Sequence, residues 1–271
     1  MANGAKKDIL RTDRMQMEYF TFGTGERPLV ILPGVSVKSV MDAADAVAEA
    51  YDLFSEGFTA YLFDRRRDIP EGFTVADMAE DTAEAMASLG LRAADVFGAS
   101  LGGMIALRLA LEHPALVRDM VLGSTMARSN ETARTVAGGW VRLAEAGDVP
   151  ALNRAMAEKM CPERVRAEYE AFLTGLHENV TEAELERFAR QTRAGVGFDV
   201  YDRLPEIRCP VLVLGAENDR VSTPAASREI AERLGCELYL YEGDYSHGVY
   251  DEAPDYRERM LAFFLAADAQ R

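Results

Sequence analysis

The stretch Val96-Phe97-Gly98-Ala99-Ser100-Leu101-Gly102-Gly103 constrains this chain more than any other. An apolar run enters a Gly-x-Ser-x-Gly turn, and a helical pattern starts at once, from Leu101 to about Glu112, cut by Pro114. A buried strand can turn so abruptly into a helix only where small residues let the two backbones pass closely. Glycines two residues to either side of Ser100 supply that room and leave the serine hydroxyl exposed at the apex. The same arrangement requires a strand inside a sheet with a helix packed on it, which points to an α/β fold.

The rest of the chain keeps that rhythm. Strand-like runs occur at Leu29–Leu32, Thr59–Phe63, Asp95–Phe97, Met120–Leu122, Val211–Leu214 and Glu237–Tyr241. Most are continuously apolar, as expected of strands covered on both faces in a parallel sheet. Met15–Phe22 alternates more and ends at Gly23-Thr24-Gly25, as an edge or hairpin strand would. Helices fill the gaps. Thr74–Leu89 opens with a Thr and Asp77 three residues on, a capping pattern, and stops at Gly90. Further helices are expected from Pro224 to Leu234, closed by Gly235, and from about Asp255 to Ala266. The fold class is therefore α/β, with a mostly parallel central sheet of about eight strands flanked by helices.

From about Ser129 to Leu204 the strands disappear. Helical pieces are expected at Glu131–Ala146, Pro150–Met160, Glu163–His177 and Glu182–Arg193, with a short turn near Phe198–Leu204. An all-helical block between two strands of one sheet reads as an inserted lid. The expected organisation is a core of residues 1–128 and 205–271 with a lid at 129–204.

The net charge of −15 disfavours nucleic acid and anionic lipid as partners. No apolar run approaches the ~18 residues of a membrane helix, so no membrane span is expected. Residues Met1–Asp8 are polar and lack the apolar core of a signal peptide, which suggests a cytoplasmic protein. The three cysteines, Cys161, Cys209 and Cys236, share no metal-like spacing and read as free buried thiols. No metal and no cofactor are expected.

A serine hydroxyl is a poor nucleophile at neutral pH and needs a base within hydrogen-bond reach. Three histidines are available. His113 lies at the far end of the helix that follows Ser100, roughly 18 Å away at ~1.5 Å per residue. It reads as a surface or helix-capping residue. His177 ends a lid helix and reads as a solvated terminus. His247, between the last strand and the last helix, lies on a loop at the carboxyl edge of the sheet, where a base for Ser100 must be. The acid is expected after the penultimate strand, and Asp219 is placed to accept the second ring N–H of His247. Glu217, nearer the strand end, is expected to face solvent or cap the loop. Asp244 and Asp251 are neighbours of His247 along the chain and are poorly placed to meet its ring. An oxyanion would need two N–H donors. Leu101, at the start of the helix, is one candidate, and Val35 in Pro33-Gly34-Val35-Ser36 is the other. Ser36 is placed to add a hydroxyl.

Together these residues resemble the α/β-hydrolase superfamily in its single-chain, lidded form. The likeness spans nearly the whole chain, and its order is oxyanion loop at 33–36, Ser100, lid, Asp219, His247. Gly215 to Asp219 resembles the family's Gly-x-x-Asp context for the acid, and Ser246-His247 its C-terminal histidine pair. Leu-Pro-Gly at 32–34 departs from the usual Leu-His-Gly. Asp64-Arg65-Arg66-Arg67 resembles the family's Asp-x-Arg-Gly loop without its glycine, and a structural role is expected for it.

The resemblance implies a serine hydrolase of carboxylic esters or related acyl compounds, working through an acyl-enzyme. Relatives with aspartate at the elbow are excluded by Ser100. The same triad also serves carbon–carbon bond or amide hydrolysis and acyl transfer. A further alternative is a non-catalytic binding protein on this scaffold. The lid carries Trp140, Met156, Met160, Tyr169, Phe172 and Phe188, most of them expected to pack lid on core. Trp140, Met156 and Met126 are the expected substrate contacts. The expected partner is a small ester-like molecule, and self-association into a homo-oligomer is left open.

Overall fold

The alternation of apolar runs and helices becomes, in a computed structural model describing residues 4–269, one sheet with apolar cores on both faces. Among the described residues the strands are β1 (Lys6–Arg11), β2 (Gln16–Phe22), β3 (Arg27–Leu32), β4 (Phe58–Arg66), β5 (Ala94–Ala99), β6 (Val117–Gly123), β7 (Val211–Ala216) and β8 (Glu237–Tyr241). Their order is β1-β2-β4-β3-β5-β6-β7-β8. The β1–β2 and β2–β4 pairings are antiparallel, and the remaining five are parallel. β5, which leads into Ser100, lies in the middle of this sheet, with Val30 opposite Val96 and Val96 opposite Met120.

Burial explains the composition of these strands. Every residue of β5 and β7 is buried. Side chains alternate between the two cores: Val30, Leu32 and Val96 enter one, and Leu29, Ile31 and Phe97 the other. β2 pairs as half of a hairpin, but the edge belongs to β1, a mostly exposed strand with Lys6, Lys7 and Asp8 in it. Charges on an exposed edge oppose pairing with a further strand.

The helices are α1 (Ala44–Ala50), α2 (Val75–Ser88), α3 (Leu101–Glu112), α4 (Glu131–Glu145), α5 (Val149–Met160), α6 (Glu163–Leu176), α7 (Glu182–Val196), α8 (Pro224–Leu234), α9 (Val249–Glu252) and α10 (Tyr256–Ala269). Thr74 and Asp77 form the capping box of α2, and Thr181 and Glu184 that of α7. Gly235 closes α8 in the left-handed region at φ 64°. No strand of the sheet lies between β6 and β7. Instead α4–α7 hold an apolar cluster of their own, including Trp140, Leu152, Met156 and Phe188, which also takes in Val37 and Val221 from loops of the sheet. Among the described residues no helix is long and apolar enough to cross a membrane.

Candidate active site

β5 ends at Ala99, and the next residue bends the chain sharply. Ser100 has φ 53° and ψ −118°, a conformation that costs a non-glycine residue about 1–3 kcal/mol. Its N–H donates to the Gly123 carbonyl (2.8 Å), and its own carbonyl accepts from Thr125 Oγ1 (2.7 Å). The flanking glycines are required by contact. A side-chain carbon on Gly102 would lie 1.9 Å from the Leu32 carbonyl oxygen, and one on Gly98 would lie 2.5 Å from the Gly102 carbonyl oxygen.

His247 lies on the loop after β8 and is 1% exposed. Its Nε2 is 3.0 Å from Ser100 Oγ, and its Nδ1 is 3.0 Å from both carboxylate oxygens of Asp219. With the Nδ1 proton donated to the carboxylate, Nε2 is left to accept the serine proton. Asp219 sits on the loop after β7. Its Oδ1 also accepts the backbone N–H groups of Val221 (2.8 Å) and Ser222 (3.0 Å). Burial raises its pKa, but His247 and these donors outweigh that effect and hold it below its ordinary value.

Leu101 is the first residue of α3, so its N–H has no acceptor within the helix. The Pro33-Gly34 turn comes close from the other side: a side-chain carbon on Gly34 would be 3.4 Å from Ser100 Cβ. Val35, half-buried, packs where the core cluster and the α4–α7 cluster meet. Trp140 and Met156 are buried in the α4–α7 cluster, whereas Met126 is buried with Leu101 and Met104 on the α3 side of the sheet.

Other candidates fall elsewhere. Glu217 accepts from Arg228 on the surface (2.5 Å), Asp244 pairs with Arg164, and Asp251 is exposed. His113 caps α3 and contacts Glu80 at 2.8 Å. His177 corrects the expectation of a solvated terminus. It is 5% exposed, with Nδ1 2.6 Å from Asn153 Oδ1, and burial and nearby Lys38 lower its pKa. Its helix ends against α5 rather than in water. Of the cysteines only Cys161 is fully buried, while Cys209 and Cys236 are half-buried.

Size does not locate the site. A cavity of about 1700 Å³ opens between the start of α2 and helices α4 and α7, and Ser100, Asp219 and His247 are absent from its lining. Its arginines Arg190 and Arg193 are already paired with Glu186 and Glu145. The hydrogen-bond chain, with its buried base and acid, is the stronger indicator of chemistry. Among the described residues no cluster of three or more histidine, cysteine, aspartate or glutamate side chains is arranged to hold a metal ion.

The sequence reading misses what binds α4–α7 to these loops. Asn130 Nδ2 donates to the Ser222 carbonyl (2.8 Å) and Arg220 to the Cys161 carbonyl (2.6 Å). Gly248 N–H donates to the Met160 carbonyl (2.9 Å), and Ser246 Oγ to the Lys159 carbonyl (3.1 Å). Arg187 of α7 pairs with Asp64 at the end of β4 (3.0 Å). These partners lie far apart in sequence and leave no local pattern.

Known proteins give the same architecture. A sequence model described as "Alpha/beta hydrolase family" matches residues 29–257. The RutD protein of Rhizobium rhizogenes, named for carbamate hydrolysis, is 27% identical over 222 residues, covering 75% of this chain and 79% of that protein. Among solved structures, MGS-M2, an alpha/beta hydrolase enzyme from a Medee basin deep-sea metagenome library, superimposes with a TM-score of 0.84 at 24% identity, covering 95% of this chain and 97% of that one. The enol-lactonase of Burkholderia xenovorans LB400 gives 0.80 at 21% identity, covering 95% and 100%. With the family model spanning most of the chain, this protein belongs to the alpha/beta hydrolase family of enzymes.

Proposed function

We propose that this protein is a serine hydrolase of carboxylic esters or closely related acyl compounds. The observation that carries the reading is the unbroken contact from Ser100 Oγ through both ring nitrogens of His247 to Asp219. His247 Nε2 takes the hydroxyl proton as Ser100 Oγ attacks the acyl carbon. The negative charge that develops on the carbonyl oxygen is met by the N–H groups of Leu101 and Val35, the first of them at a helix N-terminus. His247 then passes the proton to the leaving alcohol, and the acyl group remains on Ser100. Water, deprotonated by His247, attacks that ester, and the acid leaves as Ser100 recovers its proton. Asp219 fixes the tautomer of His247 and stabilises the imidazolium at each stage.

Residues 129–204 serve as the lid over a core formed by the rest of the chain. Their apolar cluster reaches Val37, two residues beyond Val35, and Val221, two beyond Asp219. Trp140 and Met156 belong to that cluster and Met126 to the cluster of Leu101, apolar surroundings that favour an apolar acyl or alcohol group. A second reading keeps the same residues and changes the leaving group to an amine, as in a carbamate or amide. The relatives named for carbamate hydrolysis favour including it.

A fluorophosphonate probe and a panel of 4-nitrophenyl esters of rising acyl length, with a lactone, a carbamate and an amide alongside, test the proposal. Labelling and turnover are expected in the wild-type protein. In Ser100→Ala labelling disappears and kcat falls about 10⁴-fold or more, with the fold intact. Labelling that persists in Ser100→Ala refutes the nucleophile.

A further inference from the structure

The loop that bears Val35 is tied at both ends by one dipeptide. Arg65, buried at the end of β4, donates through Nη2 to the carbonyl of Pro33, at the start of the loop. Asp64, also buried, accepts through Oδ2 from Ser39 Oγ (2.8 Å), near the end of the loop. Both ties fall outside the hydrogen-bond ladder of the sheet, so the shape of residues 33–39 depends on where Asp64 and Arg65 sit.

That dipeptide is in turn gripped from α7. Arg187 Nη2 donates to Asp64 Oδ1 (3.0 Å) and to the Arg65 carbonyl (2.8 Å). Asp64 Oδ1 also takes the Arg65 N–H (2.7 Å). Burial lowers the pKa of Arg65, opposed by Asp64 and assisted by Arg187, to about 10, so its guanidinium is charged at neutral pH. Arg187 makes both contacts through Nη2 while its Nε donates to the Arg66 carbonyl (3.4 Å), a spread of donors over one planar group that the single nitrogen of lysine does not reproduce.

We infer that Asp64, Arg65 and Arg187 are positioning residues for the oxyanion donor at Val35, so that seating of the lid helix α7 sets the shape of the oxyanion loop. The inference rests on the proposed hydrolase reading. On this arrangement the lid acts on the tetrahedral stage of the reaction as well as on access. Loss of its Arg187 contact lets the loop drift, and sub-ångström drift at an oxyanion donor lowers kcat more than it raises KM.

The test compares wild type, Arg187→Met, Arg187→Lys and Ser39→Ala, each checked by circular dichroism melting. Turnover of 4-nitrophenyl butyrate is measured beside the affinity for phenylboronic acid, which forms a tetrahedral adduct on the serine. In Arg187→Met, kcat is expected to fall about 10- to 100-fold with KM within about threefold, and boronate affinity to fall in parallel. Arg187→Lys recovers only part of the loss. Ser39→Ala, which removes one tie by deleting a single oxygen, reproduces the effect at about 3- to 10-fold even if Arg187→Met does not fold. A rise in KM at unchanged kcat, or variants equal to wild type in both readouts, overturns the inference while the hydrolase reading stands. A wild-type protein that neither hydrolyses the ester nor binds the boronate overturns both.

Discussion

At Asp219, burial and hydrogen bonding act in opposite directions. Taking a carboxylate out of water favours its protonated form, yet His247 and the N–H groups of Val221 and Ser222 favour the charge and prevail. The folded pKa is therefore below the unfolded one. Ionised Asp219 contributes stability that is present above about pH 4 and is lost as pH falls through the folded value. Across the neutral range its charge is constant, so it orients His247 without titrating. Asp219→Asn keeps the shape but offers His247 an amide, which promotes the wrong tautomer. We expect kcat to fall about 10⁴-fold with little change in KM, whereas Glu217→Gln stays within about twofold of wild type. Steady-state kinetics on a good ester decides between them, and equal losses in the two variants would remove Asp219 from its role.

At the scale of elements, Arg27 at the start of β3 adds a polar side-chain link to the backbone pairing and apolar packing of the neighbouring strands. It contacts Asp95 of β5 through two nitrogens, Asp119 of β6 at 3.2 Å and the Phe264 carbonyl of α10 at 2.9 Å. Both carboxylates are fully buried, and burial raises Asp95 to about 6 against the pull of Arg27. Arg27→Met removes a cation that two buried carboxylates share, so a loss of about 3–5 kcal/mol is expected at pH 7. Because Arg27 opposes the protonation that burial favours, Asp95 takes up its proton at higher pH in the variant than in wild type, and the deficit shrinks as pH falls toward about 6. Urea melts at pH 7 and pH 5 measure this, and an equal loss at both values would contradict it. The hub is also an example of what the sequence hides. A fully apolar strand such as β7 is legible because burial on both faces leaves one kind of residue. β1 is not, because an exposed edge strand carries Lys6, Lys7 and Asp8 like any loop. α1, largely alanine and half-buried, has no clear apolar stripe. Ser100 and His247 are readable because their chemistry restricts them to an elbow and to one of three histidines. Arg187 is not, because its partner Asp64 lies 123 residues away and nothing local marks the pair.

At the scale of the whole molecule, the question is whether α4–α7 swing freely or sit fixed on the core. The corner between α5 and α6 meets both loops that carry Asp219 and His247. Cys161 accepts from Arg220, beside Asp219, while Lys159 and Met160 accept from Ser246 and Gly248, on either side of His247. Motion of that corner would pull on both loops at once, so any opening for substrate is expected to leave it seated. Cys161 reports on this directly. Its residue is 4% exposed, and burial, with Glu252 and Asp251, pushes its thiol up to about 12. In the native protein, iodoacetamide should therefore modify the half-buried Cys209 and Cys236 well before Cys161. Arg220→Met removes one charge-assisted tie at the corner, worth on the order of tenfold in the opening equilibrium. Peptide mapping by mass spectrometry should then show Cys161 labelling on the order of tenfold faster in that variant, with the rate at Cys236 unchanged. If Cys161 in the native wild-type protein reacts as fast as Cys236, the corner is not seated, and helices α4–α7 move as a whole rather than opening around a fixed hinge on the loops of Asp219 and His247.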